Sequence, residues 1–131
     1  MQGIVLIAHG SRRREANQDL VDLAAAVAER SPEAIVEIGY LEFAQPGIAE
    51  GLQRCAARGA RRIVMVPYFL STGVHVTRDL EEARSEFSSQ NPEVTVVMAR
   101  ALELHPQIID IVIERIAGAT PQAGGVPDHS E

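Results

Sequence analysis

Short apolar runs alternate with longer stretches of helical period along most of the chain. The runs are Gly3–Ala8, Ile35–Leu41, Ile63–Pro67 and Val94–Ala99. Each is brief, rich in Val and Ile and apolar on both sides, as strands covered on both faces must be. The first helical stretch spans about Glu15–Arg30, with Leu20, Leu23, Ala24 and Val27 on one stripe, and Pro32 helps to stop it. The second spans about Pro46–Arg58, with Pro46 at a first-turn position, Gly59 as C-terminal cap, and Ile48, Leu52 and Cys55 facing inward. The third covers Val76–Ser89, with Leu80, Ala83 and Phe87 on one face and Asp79, Glu81 and Glu82 near its positive end. The fourth runs over His105–Ala117 and is expected to turn Ile109, Val112, Ile113 and Ile116 inward.

This alternation predicts an α/β fold of three layers, with a four-stranded parallel sheet and helices on both faces. Placing strands 1 and 3 side by side gives the order 2-1-3-4, and it makes neighbours of the loops that follow them. Residues 1–117 are expected to form a single domain. Residues 118–131, with Gly118, Pro121, Gly124, Gly125 and Pro127 and little to bury, are expected to be a disordered tail.

Composition narrows the function classes. A net charge of −6 argues against nucleic-acid binding, and an aromatic content of 4% without Trp argues against base stacking. No apolar run is long enough to span a bilayer. The first run lacks a preceding basic segment and reads as a strand instead of a signal peptide. A single cysteine, Cys55, allows no internal disulfide and is placed in the core, so cytoplasm is the expected compartment.

The chemistry gathers where strands end, the edge at which open α/β sheets bind ligands. His9 follows the first strand in Ala8-His9-Gly10-Ser11. His75 follows the third in Ser71-Thr72-Gly73-Val74-His75, on a loop before a helix. Glu42 follows the second; alone it reads as a surface carboxylate, but on this edge it completes a His-His-carboxylate set. That set suits a borderline divalent ion such as Co²⁺, Fe²⁺, Ni²⁺ or Zn²⁺. Arg12, Arg13 and Arg14 offer guanidinium forks for carboxylates in an otherwise acidic chain. Ser11 either binds a substrate carboxylate or caps the first helix. His105, before Pro106, reads as a helix cap, and His129 in the tail carries no expected role. Neither a G-x-S-x-G elbow nor a glycine-rich phosphate loop is present.

Three segments carry a family resemblance: Leu6-Ile7-Ala8-His9-Gly10-Ser11-Arg12, Gly39-Tyr40-Leu41-Glu42-Phe43-Ala44-Gln45-Pro46, and Pro67-Tyr68-Phe69-Leu70-Ser71-Thr72-Gly73-Val74-His75-Val76. A fourth is Leu102-Glu103-Leu104-His105-Pro106, where the family usually carries Gly in place of Glu103. Over about residues 3–117 the chain resembles the class II tetrapyrrole chelatases, especially the short sirohydrochlorin cobaltochelatases. The resemblance implies a chelatase-type, flavodoxin-like half-unit that inserts a divalent metal, Co²⁺ first and Fe²⁺ or Ni²⁺ as alternatives, into a sirohydrochlorin-type ring. It implies His9, Glu42 and His75 as metal-handling and catalytic residues, with Ser11 and Arg12–Arg14 on the substrate. It further implies no organic cofactor, and a homodimer in place of the two units that long members hold in one chain. Within that frame His9 is the better proton acceptor and His75 the better metal captor. The competing expectation is a metal or tetrapyrrole carrier without turnover.

Overall fold

The computed structural model describes residues 1–121, and the tail expected at 118–131 falls mostly outside them. Eight elements follow in strict alternation: β1 Gln2–Ala8, α1 Arg14–Arg30, β2 Ile35–Tyr40, α2 Ile48–Ala57, β3 Arg62–Pro67, α3 Val74–Gln90, β4 Thr95–Met98 and α4 Pro106–Gly118. The four strands form one parallel sheet in the order β2-β1-β3-β4, as expected. β1 lies at its centre, with Val5 opposite Glu37 on one side and Met65 on the other.

Strand side chains alternate between two cores. Val5, Ile7, Ile63, Met65, Val94 and Val96 point to one face, where Leu52 and Cys55 of α2 and Leu80 and Phe87 of α3 close over them. Gly51 lets α2 press onto β2, since a Cβ there would stand 2.5 Å from the Ile38 carbonyl oxygen. The opposite face is thinner. Leu6, Leu20 and Tyr40 are buried there, and α1 packs on β1 and β2 only.

Three local expectations need correction. Pro46 does not open α2. Its carbonyl accepts from Tyr40 N at 2.9 Å, which folds the loop back along β2, and the helix begins at Ile48 behind Gly47. α3 starts at Val74, so His75 sits in its first turn instead of on a loop, and no acidic residue lies in that turn. The largest difference concerns α4. Ile109, Val112, Ile113 and Ile116 were expected to face inward, yet they are 48%, 51%, 59% and 65% exposed. α4 packs on no other element among the described residues.

Candidate functional site

The sheet register itself assembles the centre of the site. β1 and β2 run in parallel with Ala8 opposite Tyr40. The ladder continues two steps past the strand ends, with Leu41 N donating to Ala8 O at 3.1 Å and Glu42 N to His9 O at 3.0 Å. His9 and Glu42 are thereby held side by side, 33 residues apart in sequence, and His9 Nε2 lies 2.8 Å from Glu42 Oε1. Gly10 makes this approach possible. Its φ is +95°, and a Cβ on it would meet the Glu42 carbonyl oxygen at 1.8 Å. Both side chains of the pair are about half exposed, at 53% each, so solutes reach them directly.

The loop that carries His9 is fastened from below by Asn17 of α1. The Asn17 amide accepts from Ser11 N at 2.9 Å and donates to Ser11 O at 2.8 Å, which satisfies both backbone groups. Asn17 is in turn held by Tyr40, whose hydroxyl donates to Asn17 O at 2.7 Å. Burial raises the Tyr40 phenol above its ordinary pKa, which keeps it a donor. Ser11 is buried, and its Oγ accepts from Arg13 N at 3.0 Å, tying the loop into a local turn; it is not the N-cap of α1, a place taken by Arg13.

A cleft of about 200 Å³ opens between these groups, lined by His9, Ser11, Asn17, Tyr40 and Tyr68 among others. A second, of about 290 Å³, runs from His9 past Gly10 to Arg12 and Phe43. Arg12 and Arg14 both border a third, wider hollow of about 470 Å³. The Arg12 guanidinium lies 4.7 Å from the centre of the Phe43 ring, a cation–π arrangement.

His75 does not join the pair in this arrangement. Its Nδ1 accepts from Arg78 Nη2 at 2.7 Å, one turn along α3. Among the described residues no group of three or more His, Cys, Asp or Glu is placed to hold a metal ion. The three-residue set expected from the sequence is thus present as a two-residue pair, with the second imidazole engaged elsewhere. His105 caps α4 as expected, accepting from Gln107 N at 3.1 Å. Asn17, Tyr40 and Arg78 were not foreseen, although Tyr40 stands two residues before Glu42 and its polar tip on a buried strand end was a readable signal.

Comparison with known proteins gives a consistent picture. Residues 3–119 match the family model CbiX. A sirohydrochlorin cobaltochelatase of Methanocaldococcus jannaschii is 45% identical over 80 residues, covering 61% of this chain and 56% of that protein. A chloroplastic sirohydrochlorin ferrochelatase of Arabidopsis thaliana is 30% identical over 127 residues, covering 97% of this chain and 56% of that protein. The crystal structure of the sirohydrochlorin chelatase SirB from Bacillus subtilis subspecies spizizenii in complex with cobalt superposes with a TM-score of 0.80 at 26% identity, over 88% of this chain and 50% of that one. The chain therefore spans about half the length of these relatives.

Proposed function

The chain belongs to the CbiX family, and from that premise we propose that it is a metal chelatase inserting a divalent ion, Co²⁺ first, into a sirohydrochlorin-type tetrapyrrole. Ferro- and cobaltochelatases both occur among its relatives, so Fe²⁺ is the nearest competitor. The observation that carries the reading is the His9–Glu42 contact on the ligand-binding edge of the sheet.

Insertion requires that two pyrrole N–H protons leave as the ion enters. With Nε2–H donated to Glu42, the His9 ring keeps a lone pair on Nδ1 that can accept one of these protons. The Glu42 carboxylate orients the ring and stabilises the imidazolium that results, from a position that is itself half exposed. Before the ring binds, the same pair would offer one nitrogen and one oxygen to the divalent ion, the Nε2 proton passing to water. Once the ring nitrogens take the ion, His9 is free to act as base, and the second pyrrole proton leaves to water. His75 is assigned to metal capture, which requires Arg78 to release it. Arg12, Arg13 and Arg14 receive the ring's peripheral carboxylates, and Ser11 shapes the loop beneath them. No organic cofactor is needed, because the proton acceptors and the ion complete the chemistry. The working unit is residues 1–117 in a homodimer that stands for the two halves of longer relatives, with cytoplasm as its compartment. No described helix is long and apolar enough to cross a membrane.

The test is an absorbance assay of sirohydrochlorin with Co²⁺, Fe²⁺ and Ni²⁺ at substoichiometric protein. Many turnovers per chain are expected with at least one ion. His9→Ala is expected to lower the rate by roughly 10²–10⁴, and Glu42→Gln by less. Stoichiometric binding without turnover would replace the enzyme with a carrier.

A further inference from the structure

The chain carries three Phe and two Tyr and no Trp. Tyr40 and Phe87 are buried, and Phe69 packs against the large core. Phe43 and Tyr68 are different: they are 52% and 40% exposed. Phe43 follows β2 and Tyr68 follows β3, and β1, which leads into His9, lies between those two strands. Backbone bonds hold the three strand ends level, with Glu42 N donating to His9 O at 3.0 Å and Tyr68 N to Ile7 O at 2.7 Å. The cleft lined by Tyr68 and the cleft lined by Phe43 have His9, Gly10 and Ser11 in common. His9 therefore stands between the two exposed aromatic side chains of the described residues.

Phe43 is exposed at a cost to the fold. Its φ is +68°, in the left-handed region that a bulky side chain rarely enters. Among the described residues one other non-glycine residue, Glu103, has a positive φ, and it too lies beyond a strand end on this edge. Glycine would adopt the turn at Phe43 without that penalty. A phenyl group half open to water offsets little of it through burial. Its contact with the Arg12 guanidinium is also exposed and adds only a weak attraction. Strain of this kind gathers at ligand-binding positions, and here it sits next to Glu42.

Resting on the chelatase reading above, we infer that Phe43 and Tyr68 are ring-binding residues that seat a flat conjugated macrocycle between them, over His9. The chemistry of such a ligand matches what surrounds the clefts. Its apolar centre meets aromatic side chains in offset or edge-on contact. Its rim carboxylates meet Arg12, which already lies over the Phe43 ring. Two exposed rings are too few to track a nucleic-acid strand, but they suffice to fix one macrocycle. Fixing it matters, because a ring displaced by a fraction of an ångström carries its pyrrole protons out of reach of the base. A partner protein's apolar surface would give no reason for both side chains to share a cleft with His9.

The test is a titration with metal-free sirohydrochlorin, followed by the shift of its absorbance bands. Phe43→Gly and Tyr68→Ala are each expected to weaken binding by roughly 5–50-fold, the loss of one aromatic stack. Phe43→Tyr and Tyr68→Phe keep the ring and are expected to weaken it by less than about threefold. Because glycine relieves the left-handed φ, Phe43→Gly is expected to unfold at the wild-type temperature or above it while binding less macrocycle. A purely structural role would not separate folding from binding in that way. In turnover, the KM for sirohydrochlorin is expected to rise by the same factor as the loss of binding, and the KM for Co²⁺ by less than about twofold. Wild-type affinity in either Phe43→Gly or Tyr68→Ala would overturn the pairing and leave the chelatase reading standing. So would a Phe43→Tyr variant as weak as Phe43→Gly, or a KM for Co²⁺ that rises as far as that for the macrocycle. A wild-type chain that neither binds sirohydrochlorin nor inserts metal would overturn both.

Discussion

The two faces of the sheet are finished to different degrees. On one, α2 and α3 close over a continuous core in which Val5, Ile7, Leu52, Cys55, Ile63 and Met65 are fully buried. On the other, α1 covers only β1 and β2, and the buried set shrinks to Leu6, Leu20 and Tyr40. The site hangs from the thin side: Tyr40 and Asn17 hold the His9 loop there, while the closed side contributes nothing to the cleft. The difference teaches a division of labour. The closed face supplies the stability that fixes the strand ends, and the open face supplies adjustable groups and an unmet surface.

Leu52→Ala probes the closed face hardest. Leu52 is 0% exposed in a packed core, so its truncation is expected to cost about 3–5 kcal/mol in denaturant unfolding. A cost below about 1 kcal/mol would mean the core collapses around the gap, and the contrast between faces would fall.

Alkaline titration comes next. Burial pushes the Cys55 thiol up to about 11 from 9.0. The folded state therefore prefers the neutral thiol. Below pH 9 both states carry the proton and nothing changes. Between about pH 9 and 11 the unfolded chain ionises first, and stability is expected to fall by up to about 2–3 kcal/mol. Cys55→Ala lowers stability throughout but should remove that slope. A slope that persists unchanged would assign it to another group.

Leu20→Ala is the matching probe on the thin face. Leu20 is 1% exposed, but its neighbours Leu23, Ala24 and Val27 are only half-buried, so water relieves part of the cavity. A loss of about 2 kcal/mol is expected, less than for Leu52→Ala. Equal losses would erase the distinction.

The sheet was legible because its apolar runs are short, β-branched and regularly spaced. Its order followed from asking which loops must meet. His9 and Glu42 were legible for the same reason, since parallel register carries strand ends to one edge. The inward packing of α4 was not. Periodicity says that a stripe wants burial and is silent about what buries it. His75 shows the matching limit: sequence placed it after the third strand, but its contact with Arg78, one turn along α3, is a side-chain pairing that strand order does not dictate. Asn17 escaped notice because an amide on a helix surface resembles any other until the loop above it needs both a donor and an acceptor.

Tyr40→Phe carries the smallest expected cost in stability and separates support from chemistry. It removes one hydroxyl whose 2.7 Å bond ends on the Asn17 carbonyl, so unfolding should lose only about 1 kcal/mol. The effect on turnover should exceed what that figure suggests, because the hydroxyl acts on the loop of His9 through Asn17. Asn17 has two bonds to Ser11, and loosening it frees the segment that carries His9. A rate loss of roughly 3–10-fold is expected, with substrate affinity little changed, because misplacement of a base by a fraction of an ångström is felt in the chemical step. Asn17→Ala should reproduce that kinetic pattern more strongly. If Tyr40→Phe slows turnover only as far as it lowers the folded fraction, the thin face is mere covering and its link to the site is broken.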